Sequence, residues 1–173
     1  MNSLPEILSK PHKRLPIAAE RELRQICAEL EHRHRINPLS FLKHISIQSE
    51  KWHNDPSTTK CLFGGNRSGK TEEASEYTLK KALDKPKQRI WACAETFSDS
   101  VNIQQRKIWK LLPKNRIKYG FYDDINGFAN RKIKLDNGSL IIFKSYDQGA
   151  MAFAQDDCDL IWNDEEPPYD IYK

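Results

Sequence analysis

The most informative stretch of this sequence is Gly64-Gly65-Asn66-Arg67-Ser68-Gly69-Lys70-Thr71. It fits the pattern G-x-x-x-x-G-K-[ST], in which glycines let a loop turn successive backbone N–H groups inward toward an anion. Lys70 can then reach the β- and γ-phosphates of a nucleotide, and the Thr71 hydroxyl can ligate Mg²⁺. The pattern therefore predicts a phosphate-binding loop (P-loop), followed by a helix whose positive dipole end points at the same phosphates.

The flanks of this loop have the composition that a P-loop requires. The apolar run Lys60-Cys61-Leu62-Phe63 leads directly into the loop and predicts a buried strand. Residues 71–83 contain good helix formers and neither glycine nor proline, so they predict a helix. One face of that helix is formed by small or apolar residues: Ala74, Thr78, Leu79, Ala82 and Leu83. The expected unit is therefore strand, loop and helix.

The second informative stretch is Asp159-Leu160-Ile161-Trp162-Asn163-Asp164-Glu165-Glu166-Pro167-Pro168, a short apolar run that ends in carboxylates. In a P-loop ATPase, Asp164 would hold Mg²⁺, mostly through water, and Glu165 would polarise the water that attacks the γ-phosphate. The same residues also fit a solvated acidic turn, because further carboxylates crowd into residues 156–170.

The rest of the chain alternates between predicted helices and strands. Helices are predicted at 17–33, 39–45 and 101–112, a buried strand at 89–94, and a hairpin at 132–135 and 139–144 around Asp136-Asn137-Gly138. The order strand–helix–strand–helix favours a mainly parallel sheet with right-handed crossovers. Thr96, Ser98 and Ser100 follow the 89–94 strand at the edge where such sheets bind ligands, although they can equally cap the next helix.

Length and composition allow one domain with a modest core. The 173 residues are 38% hydrophobic and 30% charged, and the net charge of +4 permits nucleic-acid contact without requiring it. No apolar run approaches the ~20 residues of a membrane span, and the N-terminal sequence has no apolar core of an export signal. The four cysteines are predicted to be reduced, two of them (Cys61 and Cys93) in buried strands. The histidines do not cluster with the cysteines, so no zinc site is predicted.

Three polar segments allow two interpretations each. The Gln48 amide can both donate to and accept from an adenine edge, but an exposed helical glutamine needs no function. The basic segment at residues 31–35 can contact phosphate or simply end a solvated helix. Residues 114–134 mix basic and aromatic side chains, which fits nucleic-acid binding or an edge hairpin protected by its charges.

With both motifs placed, the sequence resembles the ATPase domain of the large subunit of tailed-phage terminases, the motors that package DNA into procapsids. Four stretches within residues 46–173 carry the resemblance: the arginine-bearing P-loop, residues 48–53 ahead of Cys61-Leu62-Phe63, residues 143–149, and residues 161–168. The first 45 residues match no motif of this family.

The resemblance implies a role for each matching residue. The nucleotide-binding residues would be Gln48, which contacts adenine, and the loop residues Gly64, Gly65, Asn66, Arg67, Ser68, Gly69, Lys70 and Thr71. Thr71 and Asp164 would serve Mg²⁺, and Glu165 would orient the attacking water. Arg67 would sense or stabilise the γ-phosphate, because a guanidinium can neutralise transition-state charge. An arginine at this position can instead pair with a nearby carboxylate.

The resemblance also implies partners. ATP hydrolysis with Mg²⁺ would drive double-stranded DNA into a procapsid through a homo-oligomeric ring of the full-length protein. That ring would dock on the portal and act with the terminase small subunit. The expected location is the cytoplasm of a host bacterium, with no membrane partner.

The expected architecture is an α/β P-loop NTPase core over residues 46–173, with a mainly parallel sheet flanked by helices and a helical N-terminal arm over residues 1–45. A terminase large subunit continues into further strands and a nuclease domain, for which no residues follow here. A core truncated at its C-terminal side, with an unpaired sheet edge, is therefore expected. Two alternatives stay open: another P-loop nucleic-acid motor, such as a helicase, and a non-catalytic remnant that only binds nucleotide, DNA or partner subunits.

Overall fold

The computed structural model describes residues 16–44, 46–65, 67–154 and 157–171. The predicted arm over residues 1–15 and Asn66 of the P-loop lie outside the described residues. The chain divides between Arg33 and His34 into two units. Helix α1 (Ile17–Ile36) begins at the predicted residue and ends about one turn beyond the predicted end. Within the helix, Arg24 pairs with Glu20 and Arg33 pairs with Glu29.

The second unit is built on a five-stranded sheet with the order β2-β5-β6-β1-β7. Its strands are β1 (Arg89–Ala94), β2 (Ile117–Tyr119), β5 (Lys132–Leu135), β6 (Leu140–Ser145) and β7 (Leu160–Asn163), and β3 (Tyr122–Asp123) pairs separately with β4 (Gly127–Phe128). β1 is parallel to β6 and β7, whereas β5 is antiparallel to β2 and β6. The prediction of a mainly parallel sheet is therefore wrong: the predicted hairpin forms, but it joins the same sheet, which makes the sheet mixed.

Strand β1 lies at the centre of the packing. Ile90 and Ala92 belong to the main hydrophobic core, while Trp91 and Cys93 belong to a smaller cluster with Tyr146. Successive side chains of a strand point to opposite faces of the sheet, so both faces of β1 are covered. This explains why the 89–94 stretch is almost continuously apolar and why the sequence predicts its bounds correctly.

The helices of the second unit are α2 (Ile47–Asn54), α3 (Lys70–Asp84), α4 (Phe97–Asp99) and α5 (Arg106–Leu111), with a π-helical segment (Ser100–Gln105) between α4 and α5. The prediction of a helix at residues 39–45 is wrong. A 3₁₀ turn (Pro38–Phe41) forms instead and ends where Leu42 adopts an extended backbone with ψ 136°. Among the described residues, no helix combines the length and the apolar character needed to cross a bilayer.

Helix α3 is fixed at its C-terminal end by the turn of the β5–β6 hairpin. The Asn137 side-chain amide donates to the carbonyls of Ala82 (2.8 Å) and Lys85 (3.2 Å). These bonds satisfy carbonyls that the helix itself leaves without partners. Leu79 and Ala82 are fully buried in the main core. The sheet thereby holds the helix that begins at the predicted P-loop.

The segment before the P-loop departs from prediction. Residues 60–63 form no strand, Cys61 is exposed, and Phe63 is 90% exposed. The prediction of a buried strand here, with Cys61 inside it, is therefore wrong. An apolar run becomes a strand only where a neighbouring strand pairs with it. Within the described residues β7 pairs only with β1, and Lys60 is held instead by the carbonyls of Trp52 and His53.

Candidate nucleotide-binding site

The loop before α3 has the backbone geometry that its glycines permit. Gly69 has φ 86° and Arg67 φ 62°, and the Ser68 N–H donates to the Gly65 carbonyl at 3.3 Å. A Cβ atom at position 64 would lie 2.5 Å from Ser68 Oγ, so a larger residue there would require the Ser68 side chain to move. Left-handed backbone is costly for residues with a Cβ. Gly64 and Gly69, the fixed glycines of the motif, therefore both have a geometric reason.

Lys70 points back into the loop. Its Nζ donates to the carbonyls of Gly64 (2.7 Å) and Gly65 (3.0 Å). The ammonium group is therefore held inside the curve of the loop, where the motif predicts phosphate. Neutral carbonyls are weaker partners for an ammonium than phosphate oxygens, so an incoming phosphate group would compete for this cation.

The two sequence motifs meet at Thr71 and Asp164. The Thr71 hydroxyl lies close enough to the Asp164 carboxylate to favour its charged form. Burial raises the pKa of Asp164, as does the adjacent Glu165 carboxylate, while Lys70 and Thr71 act in the opposite direction. The structure thus brings the end of the acidic motif to the start of α3.

The register of the sheet positions Asp164. β7 pairs with β1 up to Asn163 opposite Cys93, and the Asp164 N–H then donates to the Cys93 carbonyl at 3.1 Å. Asp164 therefore lies just beyond the carboxyl ends of two parallel strands. Open α/β sheets bind ligands at this edge. The carboxylate of Asp99, on α4 after β1, is also close enough to raise the pKa of Asp164.

Glu165 is exposed next to Asp164. Its backbone carbonyl lies 3.0 Å from the Tyr146 hydroxyl oxygen, and Asn163 Oδ1 lies 3.2 Å from the same oxygen, so the two acceptors share the single hydroxyl proton. The backbone of the acidic turn is therefore tied to the 3₁₀ turn after β6, while the Glu165 side chain faces solvent. Such a carboxylate is free to meet water near a bound nucleotide.

Several other predicted residues are not brought into this cluster by a described contact. Gln48 is exposed on the first turn of α2, and its adenine contact stays a prediction. Arg67 is exposed and forms no ion pair within the described part of the chain. Its alternative role, pairing with a nearby carboxylate, is therefore not seen among these residues. Thr96 acts as the N-cap of α4, since its hydroxyl accepts from the Asp99 N–H.

A second polar cluster, which we call the His–Glu cluster, consists of His44, His53, Glu73 and Glu76. One potential ligand atom from each residue lies within 4.8 Å of all the others. His53 Nε2 is 2.8 Å from Glu73 Oε2, and His44 Nδ1 is 3.5 Å from the same oxygen. A carboxylate only accepts hydrogen bonds, so His53 carries its proton on Nε2.

The sequence did not reveal this cluster. His44 and His53 precede the P-loop and the two glutamates follow it, so only the packing of α2 against α3 unites them. One feature of the sequence could have indicated it: Glu73 and Glu76 lie on the same helix face as the apolar Leu79. Charged residues on a buried face require partners. Burial lowers the pKa of His53, with its hydrogen bond to Glu73 acting in the opposite direction.

No protein-family model matches this chain, and a search among curated proteins found no significant match.

Proposed function

We propose that this chain is the ATP-hydrolysing part of a phage or prophage DNA-packaging motor of the terminase type. The observation that best supports the proposal is that Thr71 lies close enough to Asp164 to affect its pKa. These residues come from two motifs far apart in the sequence. Their contact is what a P-loop nucleotidase requires, because one hydroxyl and one carboxylate serve the same Mg²⁺.

In this proposal each side chain has one task. The loop N–H groups and Lys70 bind the β- and γ-phosphates of ATP. Thr71 Oγ and Asp164 would hold Mg²⁺, which would supply positive charge to offset that of the phosphates. Glu165 orients the water that attacks the γ-phosphate in line with the leaving oxygen. Arg67, exposed beside the loop, stabilises the charge that develops on the transferred group.

The electrostatics of Asp164 also support a cation site. Its pKa is raised because the group is partly buried and lies next to Glu165 and Asp99. Carboxylates gathered at one place repel each other unless a cation lies between them. The Lys70 ammonium supplies part of the positive charge. Mg²⁺ arriving with a nucleotide would supply the remainder.

A second candidate function is nucleotide binding without hydrolysis. It is favoured by the contacts of Lys70 and by the lack of a strand before the loop. Lys70 is bonded to the carbonyls of Gly64 and Gly65, and Phe63 just before them is 90% exposed. A loop without a strand behind it is less rigidly held. Catalysis needs reacting groups fixed within fractions of an ångström, whereas binding tolerates a loop that adjusts.

The test is Mg²⁺-ATP binding and hydrolysis by the full chain, with and without duplex DNA, beside Lys70→Ala and the exposed-lysine control Lys110→Ala. We expect turnover that DNA stimulates. We expect Lys70→Ala to weaken ATP binding by about 100-fold, since a charged hydrogen bond contributes roughly 1.5–3 kcal/mol. Binding without turnover would favour the second candidate. Equal ATP affinity in both variants would refute the P-loop assignment.

A further inference from the structure

We propose that the His–Glu cluster binds one divalent transition-metal ion, with Zn²⁺ as the physiological candidate, at a site separate from the nucleotide-binding loop. The cluster offers two imidazole nitrogens and two carboxylates from three segments of the chain: His44 before α2, His53 at the end of α2, and Glu73 and Glu76 on α3. This donor set suits Zn²⁺, which prefers nitrogen and oxygen ligands in tetrahedral arrangement.

The atoms are already close to the required spacing. One potential ligand atom from each of the four residues lies within 4.8 Å of the others. Zn²⁺ bonds of about 2.0–2.2 Å place tetrahedral ligands a little over 3 Å apart. His53 Nε2 and Glu73 Oε2 are 2.8 Å apart, and His44 Nδ1 is 3.5 Å from that oxygen. Small rotations of the Glu76 and His44 side chains would complete the set.

The burial of the cluster is hard to explain by packing alone. Glu73 and Glu76 are each 3% exposed, and the His53 side chain is 5% exposed. His44 Nδ1 is buried and has no hydrogen-bond partner among the described residues. A buried imidazole nitrogen without a partner costs free energy, and it faces the Glu73 carboxylate. A cation between these atoms would satisfy the nitrogen and offset the charge of the carboxylates.

The ion pair of Glu76 with Lys80 leaves one Glu76 oxygen for such an ion. Lys80 pairs with Glu76 Oε1 at 2.5 Å, but a carboxylate has two oxygens, so the other remains able to face the cluster. His53 would give up the Nε2 proton that it now directs at Glu73 and bind as the other tautomer. The surrounding rings of Trp52 and Tyr77 limit access by water, as is usual around structural metal sites.

The consequence of binding would be structural. Glu73 lies two positions after Thr71 on α3, while His44 precedes α2 and His53 lies in its last turn. An ion held by all four residues would join α2 and the preceding turn to the first half of α3. Closed sites with four protein ligands stabilise folds instead of performing chemistry. The ion would therefore raise stability without taking part in nucleotide hydrolysis.

The experiment is a Zn²⁺ titration of the metal-stripped full chain by calorimetry, without nucleotide and in excess Mg²⁺, which occupies oxygen-only sites. Co²⁺ in place of Zn²⁺ reports four-coordinate geometry by its visible absorption. Three variants are compared with the parent. The first is a double variant that carries both His44→Gln and His53→Gln, and the second carries Glu76→Gln alone. The third, His32→Gln, is the control, because it removes an exposed imidazole of α1. Circular dichroism checks that each variant is folded.

We expect one Zn²⁺ per chain, an unchanged affinity for His32→Gln, and a loss above about 100-fold for the double variant, since even outer-shell changes cost about 10- to 100-fold. Zn²⁺ should also raise the unfolding temperature of the parent. No stoichiometric binding by the parent, or equal affinity in the folded double variant, would overturn the proposal. If the double variant is unfolded, the Zn²⁺ affinity of Glu76→Gln becomes the test. An affinity equal to that of the parent would then overturn the proposal.

Discussion

The P-loop site and the His–Glu cluster both use helix α3, but their charged groups are held in opposite ways. Lys70 and Thr71 in the first turn face an open loop, and their partners are loop carbonyls and the half-buried Asp164. Glu73, at the end of the first turn, and Glu76, on the second turn, are each 3% exposed and surrounded by side chains. The comparison shows that one helix can carry both an accessible set of charged groups and a buried one. The face toward solvent serves the first, and the face toward α2 serves the second.

The largest expected effect is on turnover at the open site. Glu165→Gln keeps the shape of the side chain but removes the carboxylate that orients water. We expect ATP affinity to stay within about twofold and the hydrolysis rate to fall by about 10²–10⁴-fold, the usual contribution of a general base. Single-turnover hydrolysis measures the rate, and equilibrium binding measures the affinity.

The matched control for this change is Glu166→Gln, an exposed neighbour in the same acidic turn. Hydrolysis at the parent rate by Glu165→Gln would remove Glu165 from the mechanism. Equal losses in both variants would indicate that the acidic turn acts only through its total charge.

The closed cluster should show its effect in stability. Glu73→Ala removes the carboxylate that accepts from His53 at 2.8 Å and leaves that imidazole buried without this partner. We expect the free energy of unfolding to fall by about 1–3 kcal/mol, the cost of a buried polar group that loses its hydrogen bond. Urea denaturation in the presence of a chelator measures this effect without a contribution from bound metal.

Glu50→Ala, at an exposed position of α2, is the control for this stability effect. Equal stability of the two alanine variants would mean that the His–Glu cluster contributes nothing without a metal. The contrast between the two sites would then concern accessibility alone.

The smallest effect concerns pH. Burial and Glu165 raise the pKa of Asp164 in the folded chain above its ordinary value. Between those two values the folded state binds more protons than the unfolded state, so the free energy of unfolding falls as pH rises through that interval. Asp164→Asn cannot ionise. We expect the parent to lose stability relative to this variant as the pH rises above the ordinary aspartate pKa of about 3.9, as followed by thermal unfolding without nucleotide or Mg²⁺.

The reference for this pH dependence is Asp170→Asn, an exposed position near the end of the described chain. Its difference from the parent should stay constant over the same pH range. Parallel stability curves for Asp164→Asn and the parent would show that the environment of Asp164 does not penalise its charge.

The sequence predicted those elements whose signals are local. The bounds of β1, the helix after the P-loop and the β5–β6 hairpin are confirmed, because alternation, helix propensity and an Asn-Gly turn act over a few residues. The position of the hairpin within the sheet could not be predicted, since register between β6 and β1 depends on pairing between distant segments. The run at 60–63 was apolar enough for a strand, yet Phe63 is 90% exposed without a partner strand.

The same distinction applies to the two sites. The sequence could single out Gly64, Gly69 and Lys70 because they lie within one short pattern, and Asp164 because it follows an apolar run; their role in nucleotide binding stays a prediction. Their contact depends on the pairing of β7 with β1. The His–Glu cluster has no short pattern, since its four residues are spread over two helices and a turn. Only the packing of α2 against α3 makes it visible.

The central position of β1 affects the order in which the chain can fold during synthesis. The Gln88 N–H bonds to Ser139 Oγ across 51 residues, and the Arg89 N–H bonds to Asp159 Oδ2 across 70 residues. A ribosome adds roughly 5–20 residues per second, so β1 waits several seconds for both neighbours while Trp91 and Ile90 lack their final cover. Helix α3 and its loop can form during this interval. Asp164 is synthesised after β7, so a nascent chain contains the glycine-rich loop before α3 well before it can place that loop next to the Asp164 carboxylate.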